Sequence, residues 1–512
     1  MNEELQMRED WVECKLGDLL KLKNGFAFKS SNYKSEGIPV LRIGDIQDWS
    51  VDVENAKRVD ENEEYDSYIV KKGDILIAMS GATTGKFGIY NSEEKAYQNQ
   101  RVGNLIPHTD KYTFKNYIYF LLYSLKRDIE IGAYGGAQPN ISATKIEALK
   151  TKLFPIPIQK AIVKKIEALF SSLDSGIADL KKAQEQLKIY RQAVLKKAFE
   201  GELTKEWREK QTDLPSADEL LEQIKEERQK HYDQQLADWK EAVKVWEKNG
   251  KEGKKPSKPQ KIKEFKEIST EDYEKLPKLP ANWNWEKFGN VCLKIMDGTH
   301  FSPKNIENGD YKYITAKNIK EGRIDLKNLS YVTKEDHREI FSRCDVKKGD
   351  VLYIKDGATT GRAAINTLEE EFSLLSSVGV FRTSQNLILP KFLEHYLNAQ
   401  STRNRMLSNI AGVAITRLTL VKLNNSKFII CSPKEQHQIV QEIESRLSVC
   451  DKVEKDIADS LEKAQALRQS ILKKAFEGKL LSEKEIAACK AHPDYEPASV
   501  LLEKIKTEKR KK

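Results

Sequence analysis

The run VKKGDILIAMSGATTGKFGIY, from Val70 to Tyr90, comes back 276 positions later as VKKGDVLYIKDGATTGRAAIN, from Val346 to Asn366. A second match, LKKAFEG at Leu195 to Gly201, returns unchanged at Leu472 to Gly478, 277 positions on, so one inserted residue reconciles the two registers. WVECKLGD at Trp11 is echoed by WNWEKFGN at Trp283, and LLEQIKEERQK at Leu220 by LLEKIKTEKRKK at Leu501. Solenoid repeats run about 20 to 50 residues, so this period describes a duplicated set of domains instead. A chain of 512 residues also exceeds what one compact core organises.

Each copy opens with mixed structure. A Gly-Asp turn leads into an apolar strand in YIVKKGDILIAMSG and in GDVLYIKDG, while YIYFLLYSLKRDI from Tyr117 and LPKFLEHYLNAQS from Leu389 have helical patterns. Prolines then close each globular part, Pro155 and Pro157 in the first copy and Pro433 in the second, as expected where a strand ends and a helix begins.

Beyond these prolines the apolar residues recur three and four apart. The first series is Ile162, Ile166, Leu169, Leu173, Ile177, Leu180, Leu187, Val194 and Ala198. The second is Ile439, Ile443, Leu447, Cys450, Ile457, Leu461, Ala464, Ile471 and Ala475. Such spacing gives a narrow coiled-coil seam on a rod of about 55 Å, which cannot bury itself, so each helix is expected to pair with the other. The alternative is two surface helices, each packed on its own domain.

Charged residues make up 32% of the chain, the net charge is +9, and no apolar run reaches the roughly 20 residues of a membrane span. With no export signal in MNEELQMRED, a cytoplasmic protein with no membrane partner and a weak bias toward anionic partners is expected. The six cysteines are scattered without zinc-ligand or disulfide spacing and read as buried or incidental thiols, so no metal is expected. The stretch NGKEGKKPSKPQKIK, after a charged helix near Ala217 to Glu247, reads as a solvated linker whose lysines could alternatively touch DNA phosphates.

SGATTGKFG is not a nucleotide-binding P-loop. Three residues rather than four separate Gly81 from Gly85, and Phe87 stands where Ser or Thr would hold magnesium. No Rossmann fingerprint, nucleophile elbow or adenine-methylation motif is present.

The order of KKGD…GATTG, YQNQRVGNLIP, a proline-ended unit and a long helix finishing in LKKAFEG, all stated twice, resembles the specificity subunit of type I restriction-modification systems. The resemblance covers nearly the whole chain. It implies an α+β fold: two α/β target-recognition domains joined by two long helices that form an intramolecular antiparallel coiled coil, a pseudo-twofold duplicated chain. The corresponding boundaries are recognition domain 1 at 1–157, helical spacer 1 at 158–203, and a charged insertion and linker at 204–282. Recognition domain 2 at 283–433, spacer 2 at 434–480 and a charged tail at 481–512 complete the chain. The insertion and tail depart from the family's shortest members.

The resemblance further implies a non-catalytic subunit that reads a split target on double-stranded DNA and holds no cofactor. Two methylase subunits using S-adenosylmethionine, and motor-nuclease subunits using ATP and Mg, would dock on it. Two readings from other classes stay open: a protein-binding scaffold that never touches DNA, and, ranked last, a nucleotide hydrolase built on GATTGK.

In this frame Gly81 and Gly85 let the loop turn, Thr83 and Thr84 offer hydroxyls, and Lys86 a cation, a set suited to DNA phosphates. Gly357, Thr359, Thr360, Gly361 and Arg362 repeat it. The alternative is a hairpin whose threonines bond their own backbone. Amides and guanidinium groups match adenine and guanine edges, which makes Gln98, Asn99, Gln100, Arg101, Gln138 and Asn140 base-reading candidates. In the second copy the candidates are Lys317, Asn318, Arg382 and Arg417.

Overall fold

A computed structural model describes residues 10–133, 139–253, 255–304, 306–408 and 417–511. The chain divides into two compact units, Met1–Lys181 with Ile457–Lys512, and Lys182–Asp456. Both long helices, Ile156–Phe199 and Pro433–Glu477, contribute residues to each unit. Among the described residues no helix is long and apolar enough to cross a membrane.

The first unit is built on a six-stranded sheet whose middle is the GDILIA strand. Ile75–Ala78 is buried at all four positions and lies between Val102–Pro107 and Phe87–Ile89, antiparallel to both. A strand covered on both faces has no reason to alternate apolar with polar residues, which explains its continuous apolar run. In the second unit Val351–Ile354 takes the same place between Val378–Arg382 and Ala363–Ile365. A short strand pair closes each globular part: Val12–Lys15 with Lys150–Leu153, and Asn284–Lys287 with Lys427–Ile430.

The duplication holds down to single hydrogen bonds. Asp74 accepts from the Lys71 amide at 2.9 Å, and Asp350 from the Lys347 amide at 2.8 Å. At the start of the long helices, buried Gln159 caps Phe154 and Phe114, as Gln436 caps Cys431 and Leu389. Gly25 and Gly298 sit where a Cβ would lie 2.2 Å from the Gln98 carbonyl oxygen and 2.1 Å from that of Leu374, so both loops need glycine for close backbone approach.

Within each unit the two long helices pair with opposite polarity. In the first unit, Ile162, Ile166 and Phe170 share a core with Ile471, Leu472 and Ala475, while Arg468 pairs with Asp174. In the second, Val194, Leu195 and Ala198 share a core with Ile439 and Ile443, and Arg191 reaches Asp451 at 2.6 Å and Glu454 at 3.0 Å. The helix ends also pack on the globular parts, so pairing and domain packing coexist rather than compete. Leu173, Ile177, Leu180, Leu187, Leu447 and Leu461 are half-buried, and Cys450, Ile457 and Ala464 are buried.

Leu169 corrects the expected seam. It is 37% exposed, and Phe170 turns inward in its place, edge-on to Trp49 and Phe120 and beneath the Arg468 guanidinium. The larger ring fills the space between helix and domain, and the one-residue shift rotates Leu169 outward.

The insertion and tail are also less detached than their charge suggests. Ala217, Leu220 and Ile224, at the start of the Ala217–Lys248 helix, enter the second unit's core. Leu501, Leu502 and Ile505 of the Ala498–Lys511 helix enter the first. Within the linker, the Phe265 amide donates to Asn290 Oδ1 at 2.9 Å, so this segment too is anchored. Five of the six cysteines are buried, and burial pushes the Cys14 and Cys344 thiols up to about 12, far from a reactive thiolate at neutral pH.

Candidate nucleic-acid interface

Four segments meet around the GATTG turn of the first unit. Gly81 and Gly85 adopt φ values of 80° and 86°, which reverse the chain so that the Gly85 amide donates to the Ala78 carbonyl at 2.9 Å. The Met79 amide bonds the Arg101 carbonyl, Ile141 bonds Met79, and Gly81 bonds Pro139. Thr83 Oγ1 donates to the Ile43 carbonyl at 3.0 Å. Residues 42–44, 99–101 and 139–141 are thereby tied to one edge.

The second unit repeats the arrangement. Gly357 and Gly361 have φ values of 98° and 103°, Gly361 bonds Ile354, Lys355 bonds Ser377, and Leu418 bonds Lys355.

The hydroxyls of Thr83, Thr84 and Thr360 correct the expectation of phosphate donors, because each bonds a backbone carbonyl. Thr84 Oγ1 donates to the Gly81 carbonyl at 2.6 Å, and Thr360 Oγ1 to the Gly357 carbonyl at the same distance, with Thr360 buried. Thr83 is spent on Ile43. A reversal this tight turns carbonyls inward, and the hydroxyls satisfy them. Thr359 is half-buried. Lys86 and Arg362 are half-exposed at equivalent positions and have no ion-pair partner among the described residues.

Burial likewise sorts the base-reading candidates. Gln98 is 1% exposed, and its amide nitrogen donates to the Lys23 and Val102 carbonyls at 2.6 Å each. Asn318 is a buried cap that accepts from the Thr315 amide. Arg382 is buried and grips Asp350 through Nε at 2.9 Å and a terminal nitrogen at 2.7 Å. These three hold the fold. Residue type alone did not reveal that they face inward.

Exposed at the edge are Gln100, Arg101, Asn140 and Arg417, and Lys317 is exposed on the Ala316–Asn318 turn, while Asn99 is half-buried with its Oδ1 accepting from the Arg101 amide. Gln138 lies outside the described residues.

Sequence reasoning missed Arg42, which lines a cleft with Gly44, Asn99, Gln100 and Arg101. Its second-copy counterpart on the matching 3-10 turn is Thr315, so the repeat gave no basic signal there. Truncating Gln98 to Ala is expected to cost about 1–3 kcal/mol in urea unfolding through two deprived carbonyls, while leaving sequence preference intact. A changed preference at undiminished stability would return Gln98 to the reading set.

The model of the type I restriction modification DNA specificity domain matches this chain twice, over residues 8–184 and 280–463. The chain belongs to this family. Among specificity-subunit relatives, the Escherichia coli type I restriction enzyme EcoBI specificity subunit is 26% identical over 507 residues, covering 99% of this chain and 94% of its own. The EcoKI specificity subunit of Escherichia coli strain K12 is 23% identical over 518 residues, covering 98% and 96%. A solved chain from work on complex assembly and conformational transition of the type I R-M system aligns with a TM-score of 0.58. Its identity is 15%, over 92% of this chain and 98% of that one, and the likeness concerns the fold.

Proposed function

We propose that this member of the specificity-domain family is a non-catalytic reader of double-stranded DNA. Each recognition unit takes one half of a split target, and the paired helices carry two methylase subunits, with motor-nuclease subunits joining them. S-adenosylmethionine, ATP and Mg belong to those partners, and the work is cytoplasmic, where the DNA is. The observation that carries the reading is the repeated edge: two equivalent backbones presenting unlike exposed polar side chains beside a cation that both copies keep, Lys86 and Arg362.

A cation kept in both copies suits the phosphate backbone, which is the same at every sequence, whereas unlike side chains suit unlike bases. The full chain is therefore expected to bind mixed-sequence duplex with log K falling linearly in log salt. Lys86→Ala and Arg362→Ala should each weaken all sequences alike and flatten that slope by about 1. Unchanged slopes in both variants would take these residues out of the interface. Absence of duplex binding, with retained binding to a methylase partner, would favour the scaffold reading.

A further inference from the structure

The two copies of the edge serve as an internal comparison. One antiparallel bridge recurs in both, joining Ser80 to Asn140 and Asp356 to Arg417. The surrounding bonds match: Ile141 to Met79 and Leu418 to Lys355, then Met79 to Arg101 and Lys355 to Ser377. The backbone thus presents positions 140 and 417 alike, and both side chains are exposed. What differs is their chemistry.

Each bridge partner also carries a buried side-chain oxygen without a hydrogen-bond partner among the described residues, Ser80 Oγ and Asp356 Oδ1. The other Asp356 oxygen stands 3.6 Å from Arg417 Nε and 3.3 Å from Lys355 Nζ. A carboxylate at the Nε side of a guanidinium restrains it and leaves the two terminal nitrogens to fork onto another acceptor pair.

We propose that the bridge 80:140 in the first unit and 356:417 in the second is the specificity-determining pair of each half. Asn140 reads an adenine, and Arg417, steadied by Asp356, reads a guanine. An asparagine amide matches adenine N6 and N7, and an arginine fork matches guanine O6 and N7, both in the major groove. The assignment rests on the DNA-reading function proposed above.

The test is selection from a randomised duplex pool by the full-length chain, with folding of each variant checked by urea unfolding. The wild type is expected to enrich a motif with adenine at one position of one half and guanine at one position of the other. Exchanging the pairs should exchange the bases. Ser80→Asp with Asn140→Arg should turn the adenine to guanine, and Asp356→Ser with Arg417→Asn the guanine to adenine, each by roughly tenfold or more in preference.

A base change at one position cannot arise from partial unfolding, which weakens every position together. Folded variants that recover the wild-type motif, or lose enrichment evenly, would overturn the assignment alone. A wild type that enriches no motif would overturn the DNA-reading function and the assignment with it.

Discussion

Replacing Glu435 by Ala is expected to destabilise the second unit by about 3 kcal/mol or more, read by urea unfolding of the full chain through tryptophan fluorescence. Glu435 is 1% exposed at the start of the second long helix. Its carboxylate collects three donors: Thr204 Oγ1 at 2.8 Å, Arg208 Nε at 2.7 Å and Trp283 Nε1 at 2.8 Å. Removing the acceptor takes the counter-charge from a largely buried guanidinium, which keeps the Gly201 carbonyl at 2.7 Å and Thr204 Oγ1 at 3.1 Å, and strands a buried indole N–H. Groups left unpaired cost more than the bonds gained when they were made.

Glu435→Gln keeps acceptor oxygen in place and should lose less. The first copy solves the same joint without charge: by the register of the LKKAFEG repeat Ile158 is the equivalent of Glu435, and it packs in the first unit's core, which Leu481 also packs against. An unchanged midpoint for Glu435→Ala would show that the joint draws its stability from packing alone.

Lys355→Met should have a comparable effect, about 3–5 kcal/mol by the same measurement. Lys355 is 1% exposed, with Nζ 3.3 Å from both Asp297 Oδ2 and Asp356 Oδ2. Without it, Asp297 keeps Arg343 at 3.3 Å and His300 at 3.2 Å, but among the described residues the Asp356 side keeps only the more distant Arg417. Matching strands place Asn24, Met79 and Ser80 of the first unit where Asp297, Lys355 and Asp356 stand in the second.

The triple change Lys355→Met, Asp297→Asn, Asp356→Ser should therefore recover most of the loss, because it removes the buried carboxylates together with their counter-charge. Additive losses across the three sites would contradict the coupling.

What could be read in the sequence was whatever the two copies share. GATTG, the Gly-Asp turn and LKKAFEG marked the duplicated sheets and paired helices because near-identical runs that return in the same order, 276 to 277 positions on, demand matching backbones. Direction within an element was less legible. Ala96, Tyr97 and Gln98 are all buried, so no alternation marked Gln98 as inward, and Arg382 ends a strand buried at every position.

Leu169 and Phe170 both fit helical spacing, and only the aromatic cluster of the first unit decides between them. The insertion and tail read as charged because charge dominates their composition. Yet the apolar residues four apart, Leu220 with Ile224 and Leu501 with Ile505, were the signal for docking. Arg42 was invisible to a comparison of copies, since only one copy carries it.

The central claim is that one polypeptide carries two unlike reading edges on a duplicated frame. Selection by the full chain from a randomised duplex pool tests it most directly. Two short blocks of different sequence, separated by an unread gap of constant length, are the predicted outcome. One uninterrupted block, or two blocks whose separation varies freely, would contradict it.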